Sequence, residues 1–283
     1  MTIGQALRDA AKRLEAVSDT ARLDAEVLMA HALEVPRSEL LLRHLDKPAP
    51  PAFEELLQRR MQHEPVAYIT GTQEFFGREF IVTPDVLIPR SDSESVIETA
   101  LNAAQGQLGV LDCGTGSGAL LLTILAERPG AEGVGVDRSL GALSVASANA
   151  ARLGLADRCR MLKRNWNEAG WTDDLGRFDL VLANPPYVEQ DAELSPSVRN
   201  FEPSGALFGG KHGLDDYRRL VPQMPQLLTE NGVAVLEIGA SQRDSVSEIA
   251  EQAGFSVELH KDLASRPRAL VLRFGLGKSD SAG

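Results

Sequence analysis

The fold class of this chain is decided by the stretch Phe178-Asp179-Leu180-Val181-Leu182-Ala183-Asn184-Pro185-Pro186-Tyr187. Its apolar first half predicts a short buried strand. The strand must end at Asn184, because two consecutive prolines cannot continue a sheet ladder. The prolines also stiffen the loop, so that an amide side chain, backbone carbonyls and the ring of Tyr187 keep fixed relative positions. Open α/β sheets bind their ligands at this carboxyl edge.

A glycine-rich loop lies upstream, in Val110-Leu111-Asp112-Cys113-Gly114-Thr115-Gly116-Ser117-Gly118-Ala119. The apolar run 120–126 follows it, so the pattern predicts a strand, a turn and then a helix. The next predicted strand ends in Asp137. An acidic residue about 20 positions after such a loop is the usual partner for ribose hydroxyls. The spacing therefore indicates a nucleoside-containing cofactor.

Two cofactor classes fit the loop. Gly114, Gly116 and Ala119 satisfy the G-x-G-x-x-G/A pattern of NAD-binding proteins. Asp112 and Gly118 add a second pattern, Asp-x-Gly-x-Gly-x-Gly, which resembles the first motif of S-adenosylmethionine-dependent methyltransferases. S-adenosylmethionine has no phosphate and carries positive charge, so a carboxylate at this place favours it. For Asp112 the alternative is a helix-capping or turn role.

The chain from about residue 68 to residue 274 resembles the peptide chain release factor glutamine methyltransferases, the PrmC/HemK family. Asn-Pro-Pro-Tyr alone is shared with DNA adenine and some RNA methyltransferases. The other blocks, in this order, are far more specific. They are Glu74-Phe75-Phe76-Gly77, Val86-Leu87-Ile88-Pro89-Arg90, the glycine loop, Phe201-Glu202-Pro203, Gly209-Gly210-Lys211-His212-Gly213-Leu214-Asp215, Glu237-Ile238-Gly239, and Asp262-Leu263-Ala264 with Arg266.

The resemblance implies a Rossmann-like class I methyltransferase sheet of the α/β class, with seven strands and a final antiparallel pair. We expect the strands near 109–113, 133–137, 159–163, 178–183, 232–238, 255–260 and 269–274. A small N-terminal helical domain, joined by a β-hairpin, precedes the sheet. The expected organisation is a helical bundle that docks the substrate (1–70), a hairpin linker (71–90), the methyltransferase domain (91–276) and a disordered tail (277–283).

The implied reaction is methyl transfer from S-adenosylmethionine to the side-chain amide nitrogen of the glutamine in the Gly-Gly-Gln loop of release factors. The expected catalytic residues are Asn184, Pro185 and Tyr187, and the expected substrate-binding residues are Asn184, Pro185, Pro186 and Tyr187. The expected cofactor-binding residues are Asp112, Gly114, Thr115, Gly116, Ser117, Gly118, Asp137, Asn165, Trp166 and Asn184.

An amide nitrogen is a poor nucleophile, because its lone pair is delocalised into the carbonyl group. Acceptors for both N–H protons can favour a pyramidal nitrogen, and the Asn184 Oδ1 atom and the Pro185 carbonyl are the natural pair. Tyr187 then walls the flat amide. No histidine-type base is needed, and positioning supplies most of the rate. Glu237 is a secondary candidate, and the segments 202–203 and 209–210 are candidates for a loop that covers the substrate.

Two departures from the family pattern bear on binding. The family usually has Pro-Glu-Thr-Glu after Pro-Arg, whereas this chain has Ser91-Asp92-Ser93-Glu94. The family often has Gly-Asp-Trp after the third strand, whereas this chain has Arg164-Asn165-Trp166. Trp166 can still pack on adenine. The carbonyl oxygen of Asn165 replaces a carboxylate that would accept from the adenine amino group, which weakens the contact.

The composition restricts the classes of molecule that the chain is expected to bind. The net charge of −11 and the isoelectric point near 5.0 argue against a dedicated nucleic-acid binder. Residues 1–72 carry 9 Lys and Arg against 11 Asp and Glu, which favours a protein partner there. No apolar run is long enough to span a bilayer, and no Cys/His cluster has metal-ligand spacing. Cys113 and Cys159 are typical of small buried residues in a reducing compartment. We therefore expect a cytoplasmic monomer without metal, direct nucleic-acid contact or membrane contact.

Three alternatives stay open. A ribosomal-protein glutamine methyltransferase shares the Asn-Pro-Pro-Tyr site but differs before the glycine loop. A DNA adenine methyltransferase would flip its base into the same pocket, and the acidic charge counts against it. An NAD-dependent oxidoreductase would use Gly114, Gly116 and Ala119. A non-catalytic binding module is the least favoured, because the intact motif points to transfer chemistry.

Overall fold

The computed structural model describes residues 1–106 and 108–275. The expected disordered tail, residues 277–283, lies outside the described residues. The described chain divides into two compact units, one formed by 1–72 with 194–202 and the other by 73–193 with 203–275, apart from residue 107. Residues 194–202 were predicted to belong to the methyltransferase domain. Among the described residues, no helix combines the length and apolar character needed to cross a membrane.

The first unit is helical. Its helices are α1 (Ile3–Leu14), α2 (Ala21–Ala32), α3 (Arg37–Arg43), α4 (Ala52–Met61), α5 (Val66–Thr70) and, from the later segment, α9 (Pro196–Phe201). Helix α1 begins with a capping box, in which Thr2 and Gln5 satisfy each other's backbone amides. Ile3, Leu7 and Leu14 are fully buried and pack with Leu28 in the unit's core, because they repeat at helical spacing.

A buried ion pair links two helices of this unit. The Nε atom of Arg60 lies 2.7 Å from Oδ2 of Asp24, and both side chains are about nine-tenths buried. Arg60 also donates to the carbonyl of Val17 at 3.3 Å and to the hydroxyl of Ser197 at 3.4 Å. Arg60 therefore connects α4 to α2, to the turn that follows α1 and to α9.

The second unit contains the hairpin strands β1 (Thr72–Phe75) and β2 (Arg78–Ile81) and a seven-stranded sheet. The sheet strands are β3 (Gly109–Cys113), β4 (Glu132–Asp137), β5 (Cys159–Lys163), β6 (Phe178–Ala183), β7 (Leu228–Glu237), β8 (Phe255–Lys261) and β9 (Pro267–Phe274). The helices are α6 (Glu94–Ala103), α7 (Ala119–Glu127), α8 (Leu140–Arg152), α10 (Ser204–Leu207), α11 (Asp215–Leu220) and α12 (Arg243–Gln252).

The strand order is β5-β4-β3-β6-β7-β9-β8. The first five strands in that order are parallel, and β9 runs antiparallel to both β7 and β8. The predicted Rossmann-like sheet with a final antiparallel pair is confirmed. Strand β7 begins well before its predicted start, at Leu228 rather than at residue 232. It continues through the turn-like Asn231-Gly232 because an irregularity in the pairing with β6 absorbs these residues.

Both faces of the sheet are buried, and the strands alternate between them. In β6, Leu180 and Leu182 join one core cluster, and Val181 and Ala183 join the other. This is the period of two that a doubly covered parallel sheet requires. Register is therefore strongly specified, since a slip by one residue would exchange the two faces. The register in turn sets the level at which each strand ends.

We predict that the Arg60–Asp24 pair stabilises the first unit far more than an exposed pair does. Asp24→Ala should lower the free energy of unfolding by about 3–5 kcal/mol, because it leaves a buried guanidinium without its counterion. The control is Glu54→Ala, which removes the exposed partner of Arg13 and should cost less than about 1 kcal/mol. Denaturant unfolding of the full chain, followed by circular dichroism, measures both. Equal losses in the two variants would contradict this prediction.

Candidate active site

The candidate site lies where the order of the sheet reverses. Strands β4 and β5 lie on one side of β3, and β6 lies on the other. In the pairing of β3 with β6, Cys113 is level with Ala183. The glycine loop and the Asn184 loop therefore leave the sheet at the same level, one on each side of a crevice. Such a switch point is the usual ligand site of an open α/β sheet.

The glycine loop turns sharply across the end of β4. The amides of Gly114 and Thr115 both donate to the carbonyl of Val136, at 2.8 and 3.0 Å. Gly114 has a φ of +80°, which favours glycine. A Cβ at this position would also lie 3.2 Å from the ring of Trp166. The positive φ therefore favours glycine for the turn, and a larger residue would also press on the indole ring.

Asp137 ends β4 and fixes the loop from the side. Its Oδ2 atom accepts from the amide of Gly116 at 3.1 Å, and its Oδ1 atom accepts from the amide of Ser139 at 2.9 Å. Each carboxylate oxygen can accept more than one hydrogen bond. Asp137 can therefore hold the loop and still accept from a ligand in the adjoining cleft, which it lines.

An open cleft of about 1040 Å³, including the solvent at its mouth, lies over this edge. It collects most of the predicted site residues. Those that line it are Gly114, Thr115, Gly116, Ser117, Asp137, Trp166, Asn184 and Pro186. Asp112, Gly118, Asn165, Pro185 and Tyr187 do not line it. Lining residues that the sequence analysis did not single out include Asp85, Arg138, Ser139 and Gly205.

Asp112 faces away from the expected ligand. It is 1% exposed, and its Oδ2 atom accepts from the hydroxyl of Thr115 at 2.7 Å. Burial raises its pKa to about 7, and hydrogen bonds from Thr115 and from the amide of Leu121 oppose the rise. Leu121 lies in the first turn of α7, so the position of Asp112 corresponds to the capping alternative. Gly118 is the N-cap of the same helix, with a φ of +82°.

Asn165 is held by its own turn. Its Oδ1 atom accepts from the amide of Asn167 at 3.1 Å, and its Nδ2 atom donates to Glu168 at 3.1 Å. The carbonyl oxygen that was expected to reach adenine is therefore engaged locally. Trp166 does face the cleft, and its indole N–H donates to Asp216 at 2.8 Å. Asp216, at the start of α11, thus fixes the tilt of the ring.

The Asn184–Tyr187 loop presents one free amide to the cleft. Asn184 is half-buried, and its side chain has no hydrogen-bond partner within residues 1–106 and 108–275. Pro185 and Pro186 are buried, so the loop is packed as well as stiff. The Tyr187 hydroxyl lies 3.4 Å from Oε1 of Glu237. Burial, with Glu237 as a second cause, raises the pKa of Tyr187 to about 12, so its hydroxyl stays protonated.

The loop is supported from behind by a segment that the sequence analysis treated as a substrate cover. A Cβ on Gly209 would overlap the carbonyl oxygen of Pro186, and one on Gly213 would overlap that of Tyr187. The Nε2 atom of Gln242 donates to the Tyr187 and Gly213 carbonyls, at 3.0 and 3.1 Å. Glycine at 209 and 213 is therefore needed for packing. No sequence signal pointed to Gln242.

The electrostatics of the loop disfavour a pyrophosphate. Phosphate cradles use free backbone amides at a helix N-terminus. Here the amides of Gly114, Thr115 and Gly116 are occupied by Val136 and Asp137. The residues fit a nucleoside cofactor without phosphates. In the described part of the chain, no group of three or more His, Cys, Asp or Glu side chains could hold a metal ion.

Comparison with known proteins agrees with this geometry. Residues 5–71 match the PrmC N-terminal domain, and residues 105–260 match a methyltransferase domain. The chain is 43% identical to a release factor glutamine methyltransferase from Cereibacter sphaeroides, over 96% of this chain and 99% of that protein. It is 42% identical to one from Geobacter sulfurreducens, over 84% of each chain.

A solved methyltransferase structure from Pyrococcus furiosus shares the fold. It superimposes with a TM-score of 0.53 at 17% identity, over 77% of this chain and 98% of that one. One assignment accounts for the fold, for the cleft without a phosphate cradle and for the two relatives. The chain belongs to the release factor glutamine methyltransferase family.

Proposed function

We propose that this enzyme transfers a methyl group from S-adenosylmethionine to the side-chain amide nitrogen of the glutamine in the Gly-Gly-Gln loop of peptide chain release factors. The observation that carries the proposal is the position of Asn184. Its unpartnered amide lies on the cleft, level with the glycine loop and one residue beyond β6. Membership of the family, with 43% identity over nearly the whole chain, supports the donor and the acceptor.

Several residues of the site have distinct roles in this reaction. S-adenosylmethionine supplies, when bound, a methyl group made electrophilic by its sulfonium sulfur. Asp137 accepts from the ribose hydroxyls, and Trp166 offers a flat apolar face for the adenine. The backbone of Gly114 and Gly116 passes close to the cofactor because no Cβ intervenes. Asp112 acts indirectly, since its carboxylate holds the base of the loop and not the ligand.

The acceptor glutamine is oriented by the Asn184 loop. Asn184 Oδ1 and the Pro185 carbonyl accept the two amide protons, which turns the nitrogen lone pair toward the methyl group. The ring of Tyr187 bounds the space for the amide group on one side. Because the prolines and the packing of Gly209 and Gly213 fix this loop before substrate arrives, little ordering remains to be done in the transition state.

The partner and the location follow from this substrate. We infer that the helical unit, residues 1–72 with 194–202, docks the body of the release factor. Its charge balance offers no basic surface for nucleic acid. Release factors act on cytoplasmic ribosomes, so we place the enzyme in the cytoplasm, as a monomer without direct nucleic-acid or membrane contact.

The direct test is transfer of labelled methyl from S-adenosylmethionine to purified release factor. We expect label on the wild-type factor and none on a factor whose loop glutamine is replaced by glutamate, because a carboxylate has no amide nitrogen. Adenine-containing DNA and ribosomal proteins are assayed in parallel. Label in either of these, with none in the release factor, would refute the proposal.

Asp137 should control the affinity for the donor. Asp137→Ala should weaken S-adenosylmethionine binding by roughly 1.5–3 kcal/mol, the scale of hydrogen bonds that involve a charge. Glu132→Gln, an exposed change at the other end of β4, is the matched control and should bind as the wild type does. Isothermal titration calorimetry measures both dissociation constants. An unchanged constant for Asp137→Ala would contradict the assigned role.

Asn184 should control turnover and not donor binding. Asn184→Ala should lower kcat by roughly 10²–10³-fold, the usual effect of losing a group that stabilises the transition state. The dissociation constant of S-adenosylmethionine should change little, since Asp137 and the glycine loop remain. Kinetics with release factor and calorimetry with the donor separate the two effects. Wild-type turnover in this variant would show that another group orients the amide.

A further inference from the structure

A buried charged cluster lies directly behind the Asn184 loop. Glu237, the last residue of β7, is 1% exposed. Arg268 of β9 is 7% exposed, and its Nη1 atom lies 4.0 Å from Oε1 of Glu237. The Nη2 atom of Arg268 donates to Asp92 at 2.8 Å, and Arg266 also pairs with Asp92 at 3.1 Å. The cluster thus joins the end of β7 to the start of β9 and to the short helix at 91–93.

The side chain of Tyr187 connects the Asn-Pro-Pro-Tyr loop to this cluster, because its hydroxyl donates to Oε1 of Glu237 at 3.4 Å. Its carbonyl is held separately by Gln242 at 3.0 Å. The tyrosine is therefore fixed at both ends, by Gln242 at the backbone and by Glu237 at the hydroxyl. Rotation of the ring out of its place would break the second contact.

The hydrogen bonding in this cluster is too incomplete for its role to be the stability of the fold alone. Within the part of the chain that the structure describes, Oε2 of Glu237 and Nε of Arg268 are buried without a hydrogen-bond partner. Burial raises the pKa of Glu237, and Ser93 and Arg268 offset this in part. A buried ion pair of this length recovers little of its desolvation cost, and apolar residues of similar size often serve stability as well or better. Unsatisfied buried groups in a native structure require an explanation.

We propose that Glu237 is a positioning residue for the methyl transfer: it holds the Tyr187 hydroxyl, and Arg268 with Asp92 holds Glu237. The ring of Tyr187 forms the wall of the amide pocket, and Glu237 at the end of the neighbouring strand β7 fixes its position in this way. Glu237 is 1% exposed, whereas Tyr187 is only half-buried, so Glu237 acts through Tyr187 and not on the substrate. This inference rests on the proposed function, because it assigns a role within that reaction.

The kinetic test compares three variants in the full-length enzyme. Glu237→Gln keeps an acceptor for the hydroxyl, whereas Glu237→Leu removes it, and Tyr187→Phe removes the donor. We expect kcat with release factor to fall roughly 10- to 100-fold in the Leu and Phe variants, the scale for a misplaced positioning group. Glu237→Gln should stay within about threefold of the wild type, and the affinity for S-adenosylmethionine should be unchanged in all three.

The effects of the Glu237 and Tyr187 substitutions on kcat should also be coupled. In the double variant Glu237→Leu/Tyr187→Phe, kcat should be no lower than in either single variant, because both changes break the same contact. Additive losses, or equal losses for Glu237→Gln and Glu237→Leu, would overturn the proposal. Tyr187→Phe leaves the buried charges in place, so it remains informative even where Glu237→Leu fails to fold. Unchanged kcat in Tyr187→Phe would also overturn it.

A spectroscopic readout needs no release factor. The chain has three tyrosines, at 68, 187 and 217, so labelling with 3-fluorotyrosine gives three resonances, and Tyr187→Phe identifies one. Glu237→Leu should shift and narrow the Tyr187 resonance as the ring is released. Tyr68, which belongs to the helical unit and not to the unit that contains Glu237, is the internal control. An unchanged Tyr187 resonance would refute the inference, whereas absence of methyl transfer by the wild type would refute the proposed function instead.

Discussion

The site depends on one constraint, the register that ends four neighbouring strands at the same level. Cys113 is paired with Val136 on one side and with Ala183 on the other, and Ala183 is paired with Leu236. The next residues along these strands are Gly114, Asp137, Asn184 and Glu237. The register therefore brings four features to one edge of the sheet, namely a cofactor loop, a ribose acceptor, an amide acceptor and the carboxylate behind that acceptor. The alternating burial of both sheet faces maintains this register.

Close packing then converts this edge into a rigid site. Gly114 admits the Trp166 ring, and Gly209 and Gly213 admit the carbonyls of Pro186 and Tyr187. Asp137 adds hydrogen bonds to the loop amides on either side of it. These contacts are all made within the protein, so they can hold the groups in place that meet the donor and the acceptor. Preorganisation of this kind is the main source of rate that the arrangement can offer a weak amide nucleophile.

The sheet and the general place of the site could be predicted from the sequence, because they follow from strand periodicity and from the stiffness of Asn184–Tyr187. The direction of the Asp112 side chain could also be predicted from the sequence. In β3, Leu111 and Cys113 lie in one core cluster and Val110 in the other. Alternation then directs Asp112 away from Leu111 and Cys113, and toward α7. The structure places the Asp112 carboxylate against the hydroxyl of Thr115, and its expected contact with the cofactor stays a prediction.

Other features had no local signal. The side chain of Asn165 is turned by hydrogen bonds to Asn167 and Glu168, which depend on the exact loop conformation. Gln242 and the Glu237–Arg268 contact join residues far apart in sequence. Such contacts depend on tertiary packing, which periodicity and spacing do not encode.

The account is tested most directly by a crystal structure of the enzyme with S-adenosylhomocysteine and a peptide that contains Gly-Gly-Gln. It predicts the ribose hydroxyls on Asp137 and the glutamine amide nitrogen within hydrogen-bond distance of both Asn184 Oδ1 and the Pro185 carbonyl. A glutamine amide bound away from Asn184, or a ribose that does not contact Asp137, would contradict it.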